Sequence, residues 1–90
     1  MADFKSAPAD GVLIKTASDR AIAAGMRNGD VIVAINGIRS HTYAQYLCGR
    51  QVKLDPEMDL IVWQGDRYTE IKTSPPDHRF GGDMGDYASR

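Results

Sequence analysis

The sequence predicts an α+β domain: a small, partly open β-barrel or sandwich of five to six strands, capped by two short helices. Three observations predict it. Ninety residues leave room for one core and no second. Apolar, β-branched runs of strand length are interleaved with helical patterns in the order strand, helix, strand, helix, strand, strand, with a further strand in the tail. Both helical patterns are too short to cover the two faces of a parallel nucleotide-binding sheet.

The elements follow in order. Residues 1–10 read as a small, polar N-terminal arm ending in the turn signal Asp10-Gly11. Residues 11–87 form the domain and 88–90 a C-terminal tail. Gly11 to Thr16 is apolar and β-branched enough for a strand. Ser18 caps a helix from Asp19 to Ala24, with Asp19 in its positive first turn and Gly25 closing it. Asn28-Gly29-Asp30 turns the chain into Val31–Ile35, five apolar residues suited to a strand buried on both faces. Asn36-Gly37 is a strong reverse-turn signal, and Ile38-Arg39 a stub of returning strand. Ser40 is the expected cap of a second helix, whose Tyr43, Ala44, Leu47 and Cys48 fall at helical spacing before Gly49 stops the pattern. Met58 to Trp63 and Arg67 to Thr73 are strands joined by the hairpin loop Gln64-Gly65-Asp66. Ser74-Pro75-Pro76-Asp77 is a stiff linker into a glycine-rich tail.

Composition excludes several function classes. Eleven basic residues against twelve acidic give a net charge of −1, without the clustered Lys and Arg that nucleic-acid phosphates require. No polybasic stretch addresses an anionic membrane. No apolar run approaches the roughly 20 residues of a spanning helix, so membrane insertion is not expected. The single Cys48 rules out an internal disulfide framework. The start, Met1 to Lys5, shows no apolar signal region, and localisation stays open.

One stretch carries a specific pattern. Ala23-Ala24-Gly25-Met26-Arg27-Asn28-Gly29-Asp30 is followed by Val31–Ile35 and Asn36-Gly37. Its logic is structural: Ala23 and Ala24 allow a helix close to the sheet, Gly25 and Gly29 adopt backbone angles costly to other residues, and Asp30 bonds the turn's amides. The whole stretch resembles a PDZ domain of the bacterial sort, and with the flanking strands and second helix the likeness covers residues 11–73.

The resemblance implies a peptide-binding module without catalysis or cofactor. Its partner would be another protein's C-terminal peptide, added as an antiparallel strand between an edge strand and the second helix, its carboxylate held by the amides of a glycine-containing loop. In the family that loop precedes the strand matching Gly11–Thr16, where this chain has only ten residues and no such loop. Arg79-Phe80-Gly81-Gly82, followed by Asp83 and Met84, supplies one if the domain is circularly permuted. Gly82 stands where the family has a hydrophobic residue. Met84 and Tyr87 are then expected to face groove or core. A rival assigns the lining strand to residues 2–6, where Ala2-Asp3-Phe4 echoes Gly82-Asp83-Met84; the C-terminal strand is preferred because it alone has a complete loop. His41, at the start of the second helix, would face the groove, with Gln45 and Cys48 on the same side. Arg79 would attract the carboxylate.

Enzymatic readings fit poorly. His41 and Cys48 stand about 10 Å apart along a helix, beyond the roughly 3 Å reach of a general base. His41, Cys48, Asp77 and His78 match no metal-ligand spacing. Two alternatives to a free-standing binder stay in view: a regulatory or substrate-presenting piece of a larger bacterial protease, and a self-associating module whose groove is closed. A monomer is expected over a swapped dimer.

Overall fold

The computed structural model describes residues 8–49, 57–74 and 82–88. Within them the chain forms β1 (Asp10–Thr16), α1 (Asp19–Ala23), β2 (Val31–Ile35), β3 (Ile38–Arg39), α2 (Tyr43–Gly49), β4 (Met58–Trp63), β5 (Tyr68–Thr73) and β6 (Asp83–Ala88). All strand pairs are antiparallel. They make one open, six-stranded sheet in the order β5-β4-β2-β1-β6, with β3 hung on β2. The architecture is thus α+β, an antiparallel sheet with two short helices. Among the described residues no helix is long and apolar enough to cross a membrane.

Local chemistry accounts for each joint. Ser18 caps α1, its hydroxyl accepting from the Ala21 amide at 3.2 Å, and Gly25 ends the helix with φ 104°. Asp30 is buried because its carboxylate accepts the Arg27 amide at 2.9 Å and the Gln64 side-chain amide at 3.0 Å. Asn36 and Gly37 both take positive φ, 53° and 83°, the requirement of a tight two-residue hairpin turn. The Asn36 side chain also donates to the Gly49 carbonyl at 3.2 Å and accepts the Asp59 amide at 3.0 Å. One turn residue therefore ties β2 to the end of α2 and to β4.

The cap of α2 corrects a sequence expectation. Ser40 is fully buried, and its amide goes to the Val33 carbonyl at 2.8 Å, extending the hairpin rather than opening a helix. Thr42 caps instead: its hydroxyl accepts the Gln45 amide at 3.2 Å, while the Gln45 side chain reaches back to the His41 amide at 2.7 Å. This is a capping box displaced by one residue.

The core lies between the sheet and the helices. β4 alternates cleanly, with Met58, Leu60 and Val62 buried, as period two demands. Val12, Ile14, Ala21, Met26, Ile32, Ile35, Tyr46 and Ile71 complete the cluster. In β2 the register against β4 shifts between Ile32 and Ala34; the Val33 carbonyl at this bulge accepts both Ser40 N–H and the Arg39 guanidinium, the latter at 3.0 Å.

Candidate groove between the last strand and the second helix

β6 ends the sheet. One flank is bonded to β1, and among the described residues no strand pairs with the other. Alternate residues of such an edge turn N–H and C=O outward, unpaired. α2 packs against this end of the sheet, touching β1, β2 and β6.

Register decides which side chains meet the helix. Met84 stands opposite Ile14 and Asp86 opposite Val12, and both of those partners are fully buried. Directly opposed residues share a face, so Met84 and Asp86 lie on the α2 side of the sheet. Gly85 and Tyr87 stand opposite Leu13 and Gly11, on the other side. Of the two residues expected to face groove or core, only Met84 does so: Tyr87 is three positions on, an odd number along a two-residue period, and lies on the other face.

Asp86 fastens the helix to the strand: its Oδ1 accepts the Tyr43 amide at 2.7 Å. α2 has no acidic residue in its first turn, so Asp86 supplies the anion that a helix N-terminus favours. Tyr43 and Leu47, one turn apart, are half-buried and pack on the core, as does Met84. All three apolar side chains pack on the core, and the Tyr43 amide bond joins α2 to β6. The sequence marked Tyr43 and Leu47 as helix-face residues without giving them a place at the site. Asp86 carried no sequence signal, since its partner lies 43 residues away.

Gln45 and Cys48 occupy the opposite flank of α2. With Ile38, Arg39, Ala44 and Gly49 they line an open cavity of about 330 Å³ toward β3. The structure therefore does not bring them together with Met84. His41 precedes α2, and its Nδ1 sits 2.7 Å from Asp10 Oδ1. That same carboxylate oxygen receives Arg39 Nη2 at 2.8 Å. The hydrogen bond from His41, reinforced by the charges of His41 and Arg39, holds the Asp10 carboxyl below its ordinary range.

Gly82 has φ 78°, and a Cβ there would strike the Thr16 carbonyl and lie 3.0 Å from the Ser18 amide. The backbone thus requires glycine at position 82. Asp83 is exposed and paired with Thr16 across a register shift. Arg79, Phe80, Gly81, Asp77, His78 and residues 2–6 lie outside the described residues. Among those described, no three His, Cys, Asp or Glu side chains converge as a metal site.

Comparison with protein-family models gives no match, and comparison with curated proteins gives none.

Proposed function

We propose that this chain is a PDZ-like, circularly permuted peptide-binding module, which captures a partner's C-terminus by adding it as a strand along β6. The supporting observation is that, among the described residues, no strand pairs with the outer flank of β6, while α2 is bonded to β6 through Asp86 and packs Tyr43 and Leu47 on the core as β6 packs Met84. A second support is the ordered pattern from Ala23 to Gly37, which resembles the bacterial members of that family.

In this reading the ligand's main chain bonds the outward N–H and C=O groups of β6. Its alternate side chains face α2, where Tyr43 and Leu47 present apolar surface one helical turn apart. The terminal carboxylate goes to amides in the Arg79–Gly82 stretch, with Arg79 contributing attraction. Asp86, holding the Tyr43 amide, sets how closely α2 approaches the strand. Charge-assisted bonds to a carboxylate contribute about 1.5–3 kcal/mol each. A short flexible peptide must be ordered on binding, which leaves a total near −7 to −8 kcal/mol and micromolar affinity.

A screen of random C-terminal peptides, with each hit also made as its amide, tests the proposal. Free acids should bind in the micromolar range, and amidation should weaken them about tenfold or more. NMR shift changes should map to β6, Tyr43 and Leu47. Equal binding of acid and amide, or changes that miss β6, would refute it.

A further inference from the structure

The sheet has a second edge, at its far end from β6. β5 is paired to β4 through six consecutive residue pairs, from Tyr68 with Trp63 to Thr73 with Met58, without any shift of register. Among the described residues no strand covers its other flank. Edges are protected by bulges, prolines and charged side chains, Lys above all. β5 has no bulge and no proline, and its two charges are of opposite sign. It reads Tyr-Thr-Glu-Ile-Lys-Thr, with Glu70 and Lys72 exposed and Ile71 buried.

The charges on β5 are complementary to themselves. When a strand pairs with its own copy about a two-fold axis normal to the sheet, residues whose numbers sum to a constant even value face each other. With the axis through Ile71, Glu70 of each copy opposes Lys72 of the other. Thr69 opposes Thr73, and the two Ile71 residues meet on the core side. Sliding the register by one residue pair in one direction sets Glu70 against Glu70; sliding it in the other sets Lys72 against Lys72. Like charges directly opposed are destabilising, so the pattern selects one register of the three. β6 differs: Asp83 and Asp86 are its only charges, so a second copy meets a strand of its own sign there.

We propose that β5 is a homodimerisation edge, at which two copies of this chain pair antiparallel about Ile71 and merge their sheets. The occupant is a second copy because only a strand reading acidic, apolar, basic in the reverse direction satisfies Glu70 and Lys72 together, and β5 itself is such a strand. An interface built on six residues a side falls below the standard size of about 1,600 Å². The dimer is therefore weak and concentration-dependent.

Sedimentation equilibrium over a wide concentration range, on the wild type and on Glu70→Lys and Lys72→Glu, tests this. The wild type should dimerise reversibly. Each single variant, like-charged against itself in the proposed register, should dimerise about tenfold more weakly or worse. An equimolar mixture of the two variants should regain wild-type association, because each then meets its opposite. Circular dichroism checks that the variants fold. If either does not, intermolecular NOEs between Glu70 and Lys72 in half-labelled wild-type protein read the register directly. A wild type that stays monomeric throughout, single variants that associate as well as wild type, a mixture that fails to pair, or the absence of those NOEs would overturn the proposal.

Discussion

Two residues illustrate how local geometry becomes measurable. Gly82 and Gly65 both have positive φ, 78° and 95°, but a Cβ on Gly65 would enter open space while one on Gly82 would meet the Thr16 carbonyl. Both alanine variants suffer the backbone penalty of about 1–2 kcal/mol, and Gly82→Ala adds a collision with main chain that has no rotamer to yield. Urea unfolding should therefore show Gly82→Ala losing about 1–3 kcal/mol more than Gly65→Ala; equal losses would mean that the entry to β6 gives way freely. Asp10 offers an electrostatic test. Its folded-state pKa is lowered from 3.8, first by the His41 hydrogen bond and then, against desolvation, by the charges of His41 and Arg39. A depressed carboxyl contributes stability that is fully present above the unfolded value and lost as pH falls through the lower, folded midpoint. An NMR titration of the Asp10 carboxyl should give a midpoint below 3.8. His41→Ala should raise that midpoint more than Arg39→Met does. A wild-type midpoint at or above the ordinary value would show that the Asp10–His41 bond does not persist in solution.

At the scale of elements, what the sequence revealed was what short-range chemistry dictates. The Ser18 cap, the Gly25 stop, the Asn36-Gly37 turn and the strands Val31–Ile35 and Met58–Trp63 rest on neighbours within a few residues, and all stand in the structure. The tail strand was legible from its order, and Asp83–Ala88 lies beside β1. Misassignments arose where a distant partner decides. Ser40 has the chemistry of a cap, but the Val33 carbonyl claims its amide and moves the helix start to Tyr43. With that shift His41 leaves α2 for Asp10, a residue 31 positions away. The face of α2 was misread for a related reason. Gln45 and Cys48 are the right spacing from His41 to share a helical side, but burial of Tyr46 and Gly49 turns that side toward β3. Gly49 itself shows how tight this fit is, since a Cβ there would run into the Ile35 side chain. Tyr43 and Leu47 pack on the core instead; the two-residue strand period separates Met84 from Tyr87, and the register with β1 decides which of them takes the α2 side.

For the whole molecule the decisive fact is that the two sheet edges left unpaired among the described residues are far apart in the sheet. β4, β2 and β1 lie between β5 and β6, in a body whose extents are 33 × 25 × 20 Å. A ligand shifts an association equilibrium only by as much as its affinity differs between monomer and dimer. A peptide on β6 touches nothing that pairing at β5 buries, so peptide binding and dimerisation should be independent. Two contrasting arrangements predict otherwise. A swapped dimer through β6 would compete with peptide, and saturating ligand would dissociate it. A groove closed by the chain itself would bind no peptide in either state. Sedimentation equilibrium with and without saturating peptide should therefore return the same dimer constant, and titration calorimetry should give the same peptide affinity for wild type and Glu70→Lys. Loss of dimer on adding peptide would place the self-association at β6, and the charge pattern of β5 would then need another explanation. Equal constants would leave each dimer with two grooves at the outer ends of one merged sheet. Such a dimer is suited to tethered ligands, because the second binding event becomes intramolecular and gains affinity without any new contact.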